Sequence, residues 1–286
     1  MDILQYDFFQ NALIGSLLAS ILCGIVGTYI VSRRLVFISG GITHASFGGI
    51  GLGVLLGCNP VWSAMVFAVL SAMGVQWVSR NGDVREDSAI ALFWTFGMSI
   101  GIICCFLTPG FMPDLPSFLF GSILTINHSD LWLLLGMTAL VATLFLCFYR
   151  QILSVAFDAT FARSQHLPVH FIEYLMMAII AMTIVSTLRM VGIVLAISLL
   201  TIPQMTANLF TFSFKRIIWS SILIGWIDCL AGLAIAYWLN VPSGAAIIFF
   251  SVVFRLGAQI FSAIFEEINR IPRHYRIING GSYTNH

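Results

Sequence analysis

The sequence predicts an all-α protein, a polytopic bundle of about nine membrane-spanning helices, and three observations carry that prediction. Of 286 residues, 59% are hydrophobic and only 9% charged, whereas an ordinary soluble domain has about 25% charged residues. Apolar runs of about 20 residues, enough to cross roughly 30 Å of hydrocarbon as a helix, recur so often that no soluble domain remains. The basic residues, finally, fall between those runs in an alternating pattern. Residues 1–286 are therefore read as one transmembrane domain.

The nine spans fall at roughly 11–32, 36–57, 60–79, 88–108, 131–149, 171–188, 190–211, 217–239 and 243–263. Arg33 and Arg34 follow the first, Arg80 and Arg85 the third, Arg150 and Arg163 the fifth, Lys215 and Arg216 the seventh, and Arg270, Arg273 and Arg276 the ninth. With alternating crossings all of these share one side. Cytoplasmic loops collect Lys and Arg, so the N-terminus is expected outside and the C-terminus in the cytoplasm. Two arginines stand apart: Arg189 links spans six and seven and can snorkel to the interface, while Arg255 lies about halfway along span nine and needs a partner or water. The chain begins MDILQYDFF, with Asp2 and Asp7 and no basic region of a cleavable signal. The first span is expected to be retained.

Other classes are excluded by the same numbers. A net charge of +1 without a basic cluster argues against nucleic acid as a partner, since that binding needs a basic face to displace counterions. Six cysteines, at positions 23, 58, 104, 105, 147 and 229, lack CxxC spacing and read as small hydrophobes. No HExxH pair and no nucleophile and base at a workable spacing point to an embedded enzyme, and no cofactor is expected.

Span two contains the most informative stretch, Phe37 to Gly53, in which His44 stands alone among six glycines. A polar ring at membrane depth is costly unless it faces a bundle interior or wet cavity, and glycines let neighbouring backbones approach. Gly40, Gly48 and Gly51 share the helical face of His44, and with Gly41 they are the candidates for close packing. The plainer reading is a packing helix whose histidine bonds a neighbour's carbonyl.

Between spans four and five, Pro109 to Asp130 contains three prolines that forbid one long helix. Phe118 to Ile126 could form a short interfacial helix, and His128 just beyond is expected in outer solvent. The segment 150–170 is the longest on the inner side. There Asp158 is a good N-cap, Ala159 to Gln165 suits about two turns, and Pro168 closes the stretch. Such a helix would lie on the inner surface and present Phe157, Phe161 and Arg163 to a partner, unless it is an ordinary interfacial loop. Span seven places Pro203 deep in an apolar run, where it should kink the helix and free a carbonyl that Thr201 or Thr206 could satisfy. In span eight, Asp228 must be protonated, paired or facing water. Pro242 to Ala246 supply a turn and helix start, and residues 264–286 read as a cytoplasmic tail.

Several of these stretches together resemble the permease family of bacterial ABC importers for zinc, manganese and iron. The resemblance rests on Thr43-His44-Ala45-Ser46 with Gly48-Gly49 in span two, and on LFGSIL at Leu119 to Leu124. It also rests on an inner motif of Asp158, Ala162, Arg163, Leu167, Pro168 and Val169, which is the most specific. Val191-Gly192, Leu199-Leu200, Pro203 and Thr206-Ala207 match in span seven, and PSGAAI at Pro242 to Ile247 completes the order. The resemblance implies a vitamin B12 importer-like (type II) permease in the bacterial inner membrane, working as a homodimer among membrane lipid. Two cytoplasmic ATPase subunits would dock on Phe157, Asp158, Ala162, Arg163, His166, Leu167 and Pro168. An external binding protein would deliver the metal, His44 and Asp228 would be candidates for its path, and Gly192 and Pro203 for kinking and gating. A phosphate-binding GxxxxGK[ST] loop needs a lysine, and the only one, Lys215, sits in FSFKRII, so this chain must borrow its energy or transport passively.

Two positions depart from that family. Gly40 stands where an aspartate four residues before the histidine is usual, which leaves His44 without a neighbouring carboxylate ligand. His166 stands where a glycine usually precedes Leu-Pro, so the short inner helix is expected to end differently. A secondary transporter of a metal or small solute, using Asp228 as an ion or proton relay, is the alternative from another class.

Overall fold

The computed structural model describes residues 7–82, 84–108 and 126–279. The LFGSIL stretch at Leu119 to Leu124, and all of the short helix expected over Phe118 to Ile126 except its last residue, lie outside them. Among the described residues ten helices follow in order: α1 (Asp7–Ser32), α2 (Val36–Leu55), α3 (Pro60–Asn81), α4 (Glu86–Leu107), α5 (His128–Phe157), α6 (Ala159–Ser164), α7 (Val169–Leu199), α8 (Ile202–Ala207), α9 (Phe214–Leu239) and α10 (Ser243–Asn279). Eight stretches of the described residues are long and apolar enough to cross a membrane: α1 to α5, Val169–Leu188 of α7, α9, and Ser243–Ile264 of α10. The remaining expected span, the seventh, is a shorter apolar stretch, Val191–Ala207, divided between α7 and α8. Beyond the crossing segment, the α10 backbone stays helical to Asn279, and the rest of the expected tail lies outside the described residues.

Local chemistry sets the helix ends. Asn59 caps α3 by accepting from the Val61 N–H at 3.0 Å, with Pro60 in the first turn where its missing N–H costs nothing. Asn127 and Asp130 form a reciprocal capping box that starts α5, and exposed His128 is the first residue of that helix. The α9 helix stops at Asn240, in the left-handed region at φ 53°, which asparagine tolerates better than most residues.

The chain alternates end to end as the charge pattern requires. Phe214, at the start of α9, packs edge-on against Tyr149 and Phe157 near the end of α5. Arg33, just after α1, reaches the Val155 carbonyl at 3.1 Å. The ends of α1 and α5 and the starts of α7 and α9 therefore meet at one end of the bundle, beside α6. Because α7 runs away from that end and α9 starts at it, Val191–Ala207 must return the chain through the bundle.

Buried share separates core from periphery. It is 72% for α1, 67% for α2 and 72% for Val169–Leu188, but only 11–33% for the other crossing segments. Helices α1, α2 and α7 are therefore central, while α3, α4, α5, α9 and α10 present apolar side chains outward, as a lipid-facing shell should.

Candidate functional site

The glycine face of α2 lies against α4. A Cβ added to Gly48 would stand 2.6 Å from the Gly97 carbonyl oxygen, and one on Gly51 2.7 Å from that of Gly101. The two backbones thus touch through paired small residues, the arrangement by which small residues join membrane helices. Gly41 is also tight, since a Cβ there would run into the Ile90 side chain of α4. Gly40 is different: among the described residues only the Ile197 side chain comes within 4 Å of a Cβ there, at 3.9 Å. It is not a close-packing glycine but an open position one turn from His44.

His44 projects from this seam. Its half-buried ring stacks on Trp94 of α4, with centroids 4.6 Å apart and planes 3° from parallel. Stacking fixes the plane of the ring while leaving its nitrogens unused, and among the described residues none hydrogen-bonds them. The expected bond to a neighbour's carbonyl is therefore absent there. Trp94, Gly97 and Gly101 were not singled out from sequence, although the Gly97-Met98-Ser99-Ile100-Gly101 spacing was readable as a helix-packing signal.

Beyond Gly40 lies the broken helix that contains Ile197. At Gly192 the backbone adopts φ 76° and ψ 171°, a region essentially restricted to glycine, and the chain turns there. The break near Pro203 differs from the expected kink. Helix α7 ends at Leu199, and Pro203 sits in the first turn of the new helix α8, where proline fits. Proline's missing N–H would free the Leu199 carbonyl, four residues earlier, and the side chain of Gln204 takes it at 3.1 Å. The same amide nitrogen donates to the Cys23 carbonyl of α1 at 2.9 Å, and Gly27 lets Leu200 and Gln204 approach that helix. Thr201 and Thr206 instead bond the carbonyls of Ile197 and Ile202 within their own turns. Fully buried Gln204 was missed from sequence, although a long polar side chain beside an intramembrane proline was the available sign.

Asp228 lies elsewhere. It is fully buried on α9 with neither carboxyl oxygen hydrogen-bonded; Ser251 of α10 stands beside it without closing a bond of ordinary geometry. Helix α2 packs mainly on α3, α4 and α7, whereas α9 packs mainly on α1, α8 and α10, so His44 and Asp228 do not share a site within one chain. Among the described residues no group of three or more His, Cys, Asp or Glu side chains could hold a metal ion. Arg255 finds Gln259, one turn along its own helix, at 3.2 Å.

The short helix α6 forms as expected. Asp158 Oδ1 accepts from the N–H groups of Thr160 and Phe161, both at 2.9 Å. The end, however, is not altered by His166. That residue adopts φ 59°, the left-handed conformation of a glycine cap. The His166 N–H bonds the Arg163 carbonyl at 3.0 Å and the Leu167 N–H that of Ala162 at 3.2 Å, the double bond pattern of a Schellman cap. Pro168 then caps α7. Phe157 and Phe161 are 66% and 58% exposed and Arg163 is exposed, but Ala162 is 0% exposed. Ala162 thus holds α6 to the bundle and is not offered to a partner.

Comparison with known proteins agrees with this architecture. The model of the ABC 3 transport family matches residues 5–262. The manganese transport system membrane protein MntC of Halalkalibacterium halodurans is 32% identical over 247 residues, 86% of this chain and 85% of that one. The manganese import system permease protein ScaB of Streptococcus gordonii is 30% identical over 87% of this chain and 89% of that one. The structure of PsaBC from Streptococcus pneumoniae in complex with Fab aligns with a TM-score of 0.80 and 30% identity, covering 90% of this chain and 92% of that one. An inward-facing putative metal-chelate type ABC transporter shares the fold, with TM-score 0.69 at 15% identity over 93% and 91% of the two chains. A continuous match from the first helix into the last, over helices that alternate as a type II importer permease requires, leaves one assignment: the chain belongs to the ABC 3 transport family and is a multi-pass membrane permease of the metal-ion ABC transporter kind.

Proposed function

We propose that this chain is the membrane-spanning subunit of an ATP-driven importer for a divalent transition metal. It works as a homodimer in the bacterial inner membrane, with its N-terminus outside and its C-terminus in the cytoplasm. Manganese is the favoured substrate, because MntC and ScaB are named for it; zinc and iron are the other candidates from sequence. An extracytoplasmic binding protein delivers the ion, and a separate ATPase dimer supplies the energy.

The observation that carries this reading is α6. A short helix capped at both ends presents Phe161 and Arg163 outward, with exposed Phe157 at the end of α5 beside it, at the bundle end where the basic residues collect. An apolar pair flanked by a cation suits a groove on a protein partner. Closure of the ATPase pair would push α6 and, through it, α5 and α7. His44, Trp94 and Gly40 line the metal path beside the broken helix. Imidazole nitrogen suits zinc and other first-row metals, and one imidazole holds such an ion weakly enough for release. Asp228, which secondary transport would need as its relay, is fully buried in this structure, with Ser251 beside it.

Reconstitution with the cognate ATPase tests the reading. Manganese uptake should require ATP hydrolysis, and Phe161→Asp or Arg163→Glu should abolish copurification with the ATPase while leaving the permease folded. Uptake by this chain alone, driven by an ion gradient, would transfer it to the secondary transporters.

A further inference from the structure

We infer that Glu173 is a positioning residue that ties both flanks of α6 to the same frame, so that motion of α6 reaches the bundle undiminished. The inference rests on the ATP-driven reading above and concerns residues that no motif singled out.

Glu173 lies in the second turn of α7 and is 9% exposed. Its Oε1 accepts from Arg33 Nη2 at 3.3 Å and its Oε2 from Gln76 Nε2 of α3 at 3.3 Å. The other arm of the same guanidinium, Nη1, donates to the Val155 carbonyl, two residues before the end of α5, at 3.1 Å. One carboxylate and one guanidinium therefore join four helices: α1, α3, α5 and α7. Glu86, at the start of α4, stands close enough to Arg33 for their charges to interact. Arg80 of α3 bonds His170 of α7 on the exposed rim of the same cluster.

The placement is what gives the cluster a function. The two helices it clamps, α5 and α7, are the two that α6 connects. The clamp grips them three residues before Asp158, at Val155, and five after Pro168, at Glu173. Between these points the chain has little slack, because the Asp158 cap and the Schellman cap at His166 fix both ends of α6. A displacement of α6 must therefore move Arg33 and Glu173 together, or break the clamp. Stability alone does not explain such a pair: its side chains are 26% and 10% exposed, exposed ion pairs contribute little, and replacing a buried one by apolar residues of similar volume is often neutral or stabilising. What the pair supplies beyond apolar contact is directional register between helices, which a slippery apolar surface lacks.

The experiment uses the full permease with its ATPase in proteoliposomes, reading manganese uptake and phosphate release from the same vesicles. Replacing both partners with R33M and E173L removes the clamp without leaving a lone charge. That variant should assemble with the ATPase and unfold at a temperature near wild type, yet move about five-fold less manganese per ATP, or lower still. Glu173→Gln, which keeps shape and one acceptor, should fall between the two and covers the case in which the double variant fails to fold. A wild-type ratio of manganese to ATP in either foldable variant would overturn the proposal while leaving the importer reading intact. Wild-type uptake that ignores ATP would overturn both.

Discussion

Gly48→Ala is the sharpest probe of the α2–α4 seam, because its cost can be separated from the intrinsic gain of alanine in a helix. The added Cβ would meet the Gly97 oxygen at 2.6 Å, the Gly97 Cα at 3.1 Å and Phe67 Cε1 at 3.0 Å. Phe67 can swing away, but the Gly97 backbone cannot, so α4 must retreat by about 0.8 Å to restore the ordinary 3.4 Å contact. Overpacking of this kind costs about 1–3 kcal/mol, while exchanging Gly for Ala within a helix returns about 1 kcal/mol. Gly40→Ala, in the same helix, receives the same return with only a 3.9 Å contact to Ile197. The difference between the two variants therefore isolates the clash, and it should be about 1–3 kcal/mol in favour of Gly40→Ala. Reversible unfolding of the purified protein in mixed micelles measures it. Equal stability of the two variants would mean that α2 and α4 do not meet through Gly48 and Gly97, and the placement of His44 against Trp94 would fall with it.

Three further outcomes are expected. Gln204→Leu should destabilise the protein by about 1–3 kcal/mol, the cost of an unpaired buried acceptor, because it orphans the Leu199 carbonyl; the same micelle unfolding checks it. His166→Gly should leave the helix cap unchanged and stabilise by up to about 1 kcal/mol, the relief of a left-handed side chain less the extra flexibility of glycine. A thermal midpoint below wild type would show that the imidazole makes a compensating contact. Gly40→Asp should place a carboxylate one turn from His44 in space that is open. It should tighten manganese binding about ten-fold or more, since losing even an outer-shell partner of a metal costs ten- to hundred-fold. Titration calorimetry in detergent reads this against Gly40→Asn.

How much was legible follows from the range over which each signal acts. Span positions, their alternation and the Asp158 cap depend on composition and on neighbours within one turn, so they could be read directly. The seventh span was harder. Its apolar run looks like a membrane helix, but the conformation of Gly192 and the side chain of Gln204 decide where the helix breaks, and the Cys23 partner of Gln204 lies 181 residues away. The inner helix shows a similar limit: the left-handed position was identified, yet which residue types tolerate it depends on energies near 1 kcal/mol that the Schellman bonds outweigh. For the site, His44 and its glycine face were visible. Trp94 was not, because stacking between helices leaves no local trace. Asp228 was rightly marked as polar and deep, but only packing could separate it from His44.

The distribution of polar links gives the bundle a mechanical asymmetry. In the crossing segments most hydroxyls turn back on their own helix: Ser20 to the Ser16 carbonyl, Thr28 to Gly24, Thr43 to Ser39, Thr187 to Thr183, Ser221 to Ile217. Such bonds satisfy the hydroxyl without joining helices. Among the described residues, side-chain bonds between helices instead gather at the α6 end, through Arg33, Gln76, Arg80, His170 and Glu173. Two lie away from it: Gln204 to Cys23 within the bundle, and Asn11 of α1 to the Ile126 carbonyl just before α5, at 3.4 Å. Packing that lacks directional bonds resists separation more than it resists sliding, whereas a clamped end moves as a body. A push on α6 is thus best relieved by small shifts along seams such as α2–α4, where glycine meets glycine, with the glycine-only turn at Gly192 as the point least able to resist. His44 lies on that seam and Gly40 faces Ile197 of the broken helix, so on the ATP-driven reading proposed above the ring proposed for the metal path sits where a push from α6 would be felt as movement.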